Sequence, residues 1–146
     1  MEYEIKPGAY LYRANLRLAE LREANLKEAY LQGADLSGAD LKLADLVRAD
    51  LRETNLRETD LSEANLQGAR LHGAYLIEAN LTEANLTGAN LTGANLIRVD
   101  LTRANIVGAN LTGAKLTGAN LEDILYNKKT KYDENSPLDI YIKQNK

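Results

Sequence analysis

Few side chains in this sequence are of the types that carry out acid–base, nucleophilic or metal chemistry. His72 is the only histidine, and the 146 residues include no cysteine. Catalytic proton transfer needs a base held beside a second polar group, whereas we expect His72 to face solvent at a turn. Carboxylates such as Asp40 and Asp60 are common, but no predicted pocket would shift their pKa values. We therefore expect no catalytic, cofactor-binding or metal-binding residues.

The elements that position these side chains follow a repeat of five residues, Ala-Asn-Leu-x-x. Leucine occupies every fifth position from Leu11 to Leu121, with Ile106 as the one substitute. Alanine stands two residues before each of these positions, replaced only by Thr54, Thr59 and Val99, and the middle residue between them is mostly Asn or Asp. A period of five makes no apolar stripe on an α-helix and places alternate leucines on opposite faces of a straight strand. The repeat therefore predicts a solenoid whose chain turns after each short extended segment.

The two x residues are the first and second turn positions. In each extended segment alanine and leucine point inward, while the middle residue points outward. Nine glycines, from Gly33 to Gly118, occupy the second turn position, where a type II turn needs a positive φ. Glutamate occupies this position in some other repeats, and because that conformation is costly for it, we expect another turn type at five of them. Those glutamates are Glu53, Glu58, Glu63, Glu78 and Glu83.

Across residues 9–121, without insertion, the chain resembles the pentapeptide-repeat proteins, whose family motif is Ala-(Asp/Asn)-Leu-x-x. The resemblance implies an all-β fold, a right-handed quadrilateral β-helix with four repeats per coil and about six coils at the usual inter-strand spacing. A spacing of twenty residues would stack Tyr10 on Tyr30 and Ile77 on Ile97. It would also pair charges along the corners, although a spacing of fifteen matches charges comparably. The number of sides therefore depends on the resemblance. The charge pairs at a spacing of twenty are Glu28 with Arg48, Glu78 with Arg98, and Glu83 with Arg103.

Two inward alanines are replaced by threonine, at Thr54 and Thr59. We expect each hydroxyl to bond a nearby carbonyl or a buried water. Between residues 81 and 120 the outward positions are mostly Asn and Thr, and we expect these to form hydrogen-bonded ladders between coils.

Two groups of outward apolar residues depart from the repeat and are candidate partner-binding sites, because contiguous exposed apolar groups mark interaction surfaces. One group lies on one face and the second on another. The first comprises Tyr75, Ile77 and Ile97, and the second Tyr10, Tyr12 and Tyr30. The alternative interpretation is that aromatic and β-branched residues simply suit extended backbone.

A third candidate surface is acidic. With twenty residues per coil, one column would carry Glu20, Asp40 and Asp60, with Glu63 and Glu83 beside it. Some pentapeptide-repeat proteins bind DNA gyrase by resembling duplex DNA, so the resemblance implies a DNA-mimic inhibitor or protector of gyrase or another topoisomerase as the alternative function. Arg22, Lys42 and Arg103 interrupt this face, and the chain lacks the inserted loop of the quinolone-resistance members.

The termini depart from the repeat, and we divide the chain into an N-terminal cap (1–8), a repeat β-helix (9–123) and a C-terminal cap (124–146). Lys128 to Asn135 has the composition of an exposed loop. Ser136-Pro137 then predicts a short helix with Ser136 as N-cap and Pro137 in its first turn. Its apolar face either caps the last coil or forms a homodimer contact.

Composition sets the functional expectation. The net charge of −3 and the pI near 5.3 give nucleic acid no electrostatic reason to bind. Without a signal-peptide pattern or an apolar stretch long enough to span a membrane, we expect a soluble, cytoplasmic protein with no membrane contact. The sequence favours a non-enzymatic β-helical scaffold that binds another, unidentified protein, as a monomer or as a homodimer through its C-terminal segment.

Overall fold

In the computed structural model, which describes residues 2–146, each middle residue pairs with the residue twenty positions later. These parallel bridges run from Tyr10↔Tyr30 to Asn105↔Leu125. Since one repeat holds five residues, each coil has four sides, and the charge pairs expected at this spacing are present. The chain is a right-handed quadrilateral β-helix of about six coils. Each side contributes one bridging residue, and α1 (Pro137–Gln144) is the one helix among residues 2–146.

Backbone hydrogen bonding explains why the motif is strict. In an interior repeat, the leucine N–H and the second-turn N–H donate to the next coil, the middle N–H donates to the previous coil, and the alanine N–H closes the turn. The first-turn N–H donates to Oδ1 of the Asn or Asp two residues earlier. One repeat shows all five: Leu36 N to Asn55 O (2.8 Å), Ser37 N to Asp35 Oδ1 (3.0 Å), Gly38 N to Arg57 O (2.9 Å), Ala39 N to Leu36 O (3.0 Å) and Asp40 N to Ala19 O (2.9 Å).

The expectation of a second turn type at the glutamates is wrong. The five glutamates named above have φ between 55° and 59°, and Glu23 and Glu28 at the same position have φ of 61° and 56°, close to the 64–72° of the repeat glycines. The corners cannot differ because the second-turn N–H must reach the next coil, as in Glu58 N to Ile77 O at 3.0 Å. Positive φ at the second turn position and its absence at the first is the pattern of a type II turn. Stacking therefore imposes one corner geometry, and the side chains bear its conformational strain.

The expected Asn and Thr ladders are mostly local bonds. Thr82 Oγ1 donates to Asn80 Oδ1 of its own repeat at 2.6 Å, and Thr87 does the same with Asn85. Bonds between coils occur at Asn55 to Asp35 (3.1 Å) and Asn85 to Asn65 (3.3 Å). The side-chain oxygen of Asn80 already accepts the backbone N–H of Thr82. The hydroxyl of the same threonine lies close enough to donate to that oxygen as well, so the bonds stay within one repeat.

The core consists of the inward leucines and alanines. Leu66 is fully buried, as are most interior leucines. Thr54 and Thr59 are also fully buried, and their hydroxyls donate to Leu31 O at 2.8 Å and Leu36 O at 2.9 Å, which confirms the carbonyl partners. Buried hydroxyls at these positions are therefore satisfied by the coil itself.

At the N-terminal end, Tyr3 and Ile5 pack against the core, and the Tyr3 hydroxyl accepts the free Asn15 N–H at 3.1 Å. Met1, the first residue of the predicted cap, lies outside the described residues. Ala19 and Ala24, in the first coil, are only partly buried. Residues 2–8 therefore cover one part of the open end.

At the C-terminal end the coil continues into the segment from Lys128 to Asn135, which was predicted to be an exposed loop. Thr130 is buried and its hydroxyl donates to Ile106 O at 3.0 Å, repeating the role of Thr54. Lys131 bridges Asn110, so one additional residue is accommodated between Leu125 and Lys131. Lys128 and Lys129 form the exposed part of that connection.

Helix α1 begins as predicted, with the Ser136 hydroxyl accepting the Asp139 N–H at 3.2 Å. Leu138 and Ile142 are buried against the last coil. The Tyr141 hydroxyl accepts the Asp123 N–H at 3.1 Å, which satisfies one donor of the coil edge. Lys143 Nζ donates to Asp139 at 2.7 Å and lowers the pKa of that carboxyl.

Candidate protein-interaction surfaces

Tyr75, Ile77 and Ile97 lie together, and we call them the isoleucine patch. Tyr75 is 49% exposed and bridges Asn55 below and Asn95 above. Ile77 and Ile97 occupy the first turn position of one corner in adjacent coils, joined by the bond from Glu78 N to Ile97 O at 3.0 Å. Both isoleucines are half-buried. The patch therefore contains one aromatic and two aliphatic side chains across two coils.

Tyr75 also removes a hydrogen bond that the repeat normally makes. Ile97 N donates to Asn95 Oδ1 at 3.3 Å, as the first-turn N–H does wherever the middle residue is Asn or Asp. Tyr75 has no side-chain acceptor in reach, and Ile77 N–H has no partner within residues 2–146. The patch thus offers a free backbone donor beside its apolar side chains.

The second group is an aromatic stack near the N-terminal end. The rings of Tyr10 and Tyr30 are 4.9 Å apart and nearly parallel, at 6°, as expected from the coil spacing. The guanidinium of Arg13 lies 5.2 Å from the centre of the Tyr12 ring at the next corner. Tyr10, Tyr12 and Tyr30 are all exposed. Part of this aromatic area is therefore used within the protein.

The acidic column forms but is partly neutralised. Glu20, Asp40 and Asp60 bridge one another in consecutive coils. Glu63 pairs with Lys42 at 3.3 Å, and Glu83 pairs with Arg103 at 3.1 Å.

The carboxylates of Asp40 and Asp60 also have a structural role. They accept the Lys42 N–H at 3.0 Å and the Ser62 N–H at 2.9 Å, respectively. Much of this negative charge therefore compensates charges and donors of the protein itself.

Leu18 was not among the predicted site residues, and it is 72% exposed with φ of 56°. Its side chain lies over Gly38: a Cβ at Gly38 would be 2.6 Å from Leu18 Cδ2. Together with Arg57 and other neighbours they line a groove of about 350 Å³. A leucine at a second turn position, which Gly, Glu or Arg usually fills, was the available signal.

Asp50 is a second residue whose role was not predicted from the sequence. It is 8% exposed, and the Arg52 guanidinium donates to both of its oxygens at 2.7 and 2.5 Å. These bonds hold the pKa of the Asp50 carboxyl below its usual range. Arg70 adds a weaker contact at 3.6 Å.

The structure offers little that resembles a catalytic centre. His72 is half-buried rather than exposed, and its buried Nδ1 has no partner within residues 2–146. In the same range no group of three or more His, Cys, Asp or Glu side chains is placed to hold a metal ion. No helix described here is long and apolar enough to cross a membrane.

Comparison with protein-family models matches pentapeptide repeats over residues 8–43, 44–83 and 84–123. The chain belongs to the pentapeptide-repeat family. It is 35% identical to a pentapeptide repeat protein from the Arabidopsis thaliana thylakoid lumen, covering 70% of this chain and 67% of that one, with a TM-score of 0.45.

It is also 33% identical to HetL from the cyanobacterium Nostoc sp. strain PCC 7120, a protein involved in heterocyst differentiation regulation. That match covers 76% of this chain and 73% of HetL, with a TM-score of 0.29. QnrB1, a plasmid-mediated fluoroquinolone resistance protein, shares the fold at 21% identity and a TM-score of 0.52, covering 82% of this chain and 69% of that one. Comparison with curated proteins found no match.

Proposed function

We propose that this protein is a non-enzymatic scaffold that binds a protein partner through the isoleucine patch. The observation that carries the proposal is Tyr75, which occupies a position where Asn or Asp would complete the turn, so that the Ile77 N–H has no partner within the described part of the chain. A partner that covers Tyr75 and the two isoleucines would remove apolar surface from water and can supply an acceptor to that N–H. A few such residues, surrounded by polar ones, are the usual centre of a protein interface.

The surroundings of the patch suit this role. Asn55 and Asn95 lie on either side of Tyr75, and Glu78 pairs with Arg98 at the corner. Polar groups that are already paired exclude water from an interface centre without demanding new partners. The half-buried His72, which has no polar partner for its Nδ1, does not favour catalysis.

The acidic surface gives weaker support to the alternative of a DNA-mimic inhibitor or protector of gyrase. Two of its five members are paired with basic residues, and Asp40 and Asp60 bond their own backbone. An extended negative potential is what such mimicry requires. A gyrase supercoiling assay separates the two functions, and we expect this protein to leave supercoiling unchanged.

The direct test is site-specific cross-linking in cells of the source organism. A photoreactive phenylalanine analogue replaces Tyr75, and in a matched control it replaces Asn65 on the opposite side of the coil. We expect a discrete adduct from position 75, absent from position 65, and lost when Ile77 and Ile97 are changed to threonine. Equal adducts at both positions, or none at position 75, would overturn the proposal. The cytoplasmic location stays a prediction, which fractionation of the same cells checks.

A further inference from the structure

The isoleucine patch continues along its corner to the N-terminal end of the coil. Backbone bonds join the consecutive corners: Leu18 N to Ser37 O (3.0 Å), Gly38 N to Arg57 O (2.9 Å), Glu58 N to Ile77 O (3.0 Å) and Glu78 N to Ile97 O (3.0 Å). From Leu18 to Ile97 this corner spans four coil steps, about 19 Å at the inter-strand spacing. We call this surface the corner strip.

Side chains of different size make the surface of the corner strip uneven. At its upper end Ile77 and Ile97 are bulky, whereas Ser37 and Gly38 are small and leave the groove of about 350 Å³. Leu18 extends over Gly38 and forms an apolar wall of that groove. A ligand lying along the strip therefore meets apolar side chains at both ends and a recess between them.

The middle of the corner strip carries two charged side chains without an ion-pair partner among the described residues. Arg57 and Glu58 are exposed, and neither belongs to an ion pair within residues 2–146. Higher on the same corner, Glu78 is already paired with Arg98. A ligand with polar residues of both signs beside its apolar row would match this arrangement.

We infer that the corner strip binds an amphipathic α-helix of the partner, laid parallel to the coil axis. The spacing of the coils decides between ligand conformations. Ile77 and Ile97 are about 4.8 Å apart along the axis, since they lie in adjacent coils. One helical turn advances about 5.4 Å, so side chains three or four residues apart stay close to successive coils.

The other regular conformations fit less well. Side chains on one face of an extended strand recur every ~6.6 Å and lose register after two coils. A polyproline helix repeats about every 9.3 Å and would skip alternate coils. The isoleucines occupy consecutive coils, which favours the helix. A helix of about 13 residues spans the strip at 1.5 Å per residue.

This inference depends on the proposed function, because it assigns the kind of partner that the isoleucine patch binds. It is tested by selecting two displayed peptide libraries against the folded full-length protein. One library fixes apolar residues at helical spacing, and the other is Pro-rich. Selected peptides are then measured by fluorescence anisotropy on the Ile77→Thr, Ile97→Thr double variant. The control double variant is Val47→Thr, Val107→Thr, which makes the same kind of change at the first turn position of another corner.

We expect helix-patterned peptides that bind the wild type and the valine control equally but the isoleucine variant at least about tenfold more weakly, as for the loss of interface anchors. Binders only from the Pro-rich library, helical peptides indifferent to the isoleucines, or no binders would overturn the inference. If the cross-link at position 75 still forms in any of those cases, the proposed function stands and only the helical partner is rejected. If neither the isoleucine-dependent binding of helical peptides nor the cross-link at position 75 is observed, the proposed function is rejected as well.

Discussion

At the scale of single residues, the inward–outward alternation predicts a sharp contrast in stability. Leu66 is fully buried, whereas the adjacent Gln67 is exposed at a first turn position. Leu66→Ala should lower the free energy of unfolding by about 2–5 kcal/mol, since the coil cannot close around the cavity. Gln67→Ala should change it by less than about 0.5 kcal/mol. Chemical denaturation measures both, and comparable losses would contradict the assignment of the two positions.

A second residue-scale prediction follows from the shared corner geometry. Gly88→Ala should cost about 1 kcal/mol, because alanine must adopt φ near 66° and no atom lies close enough for a steric clash. Glu58→Ala is the matched control: Glu58 already has φ of 55°, so both residues bear the same strain and the change should stay within about 0.5 kcal/mol. Equal changes in melting temperature for the two variants would show that a Cβ atom at positive φ does not cause the destabilisation.

Asp50 predicts a contribution to acid stability. Bonds from Arg52 lower its folded pKa below the ordinary 3.8, so its contribution is present above that pH and is lost as pH falls through the folded value. Asp50→Asn keeps an oxygen for the turn but removes this titration. We expect the variant to be less stable than the wild type at neutral pH and the difference to shrink in acid. Denaturation at a series of pH values measures it, and a constant difference would contradict the assigned role.

At the scale of elements, α1 should protect the end of the coil. A chain ending at Leu121 loses the buried Leu138 and Ile142 and leaves the edge of the last coil unpaired. We expect it to self-associate in light scattering, because uncovered β-edges pair with other chains. Ile140→Ser is the control, since Ile140 is exposed on the same helix and should leave the coil intact. A monodisperse truncated monomer of unchanged stability would show that the coil needs no cap there.

The same Ile140→Ser variant tests the homodimer prediction. If exposed α1 residues join two copies, light scattering of the wild type gives a dimer mass and that of the variant a monomer mass. A monomer mass for the wild type would contradict the homodimer prediction and leave α1 with contacts to the coil alone.

Features that depend on nearby residues were predicted from the sequence, whereas features that depend on contacts between coils were not. Burial of each fifth leucine and the capping of α1 by Ser136 are local consequences of residue type, and both were predicted. The left-handed conformation of Glu58 was not, because it is imposed by the bond to Ile77 in the next coil rather than by glutamate's own preference. The recess over Gly38 was missed for a similar reason: it depends on a side chain twenty residues away, Leu18.

At the scale of the whole molecule, the repeat makes a rigid surface on which departures from the motif can be recognised. Asn or Asp at a middle position stabilises its own turn, so an exposed tyrosine there forgoes a hydrogen bond. For Tyr10 and Tyr30 mutual stacking offsets that loss. Tyr75 has no stacked aromatic partner within residues 2–146, so its ring stays available to another molecule.

The binding role of the isoleucine patch is tested most directly by the triple variant Tyr75→Asn, Ile77→Thr, Ile97→Thr, compared with Val47→Thr, Val107→Thr. Thermal unfolding is measured first, followed by retention of the protein that cross-links at position 75. We expect the triple variant to melt no lower than the control, because the asparagine introduced at position 75 can restore the turn bond to residue 77. We also expect that it no longer retains the partner. A variant that folds normally and retains the same partner as the wild type would contradict the assignment of the isoleucine patch as the binding surface.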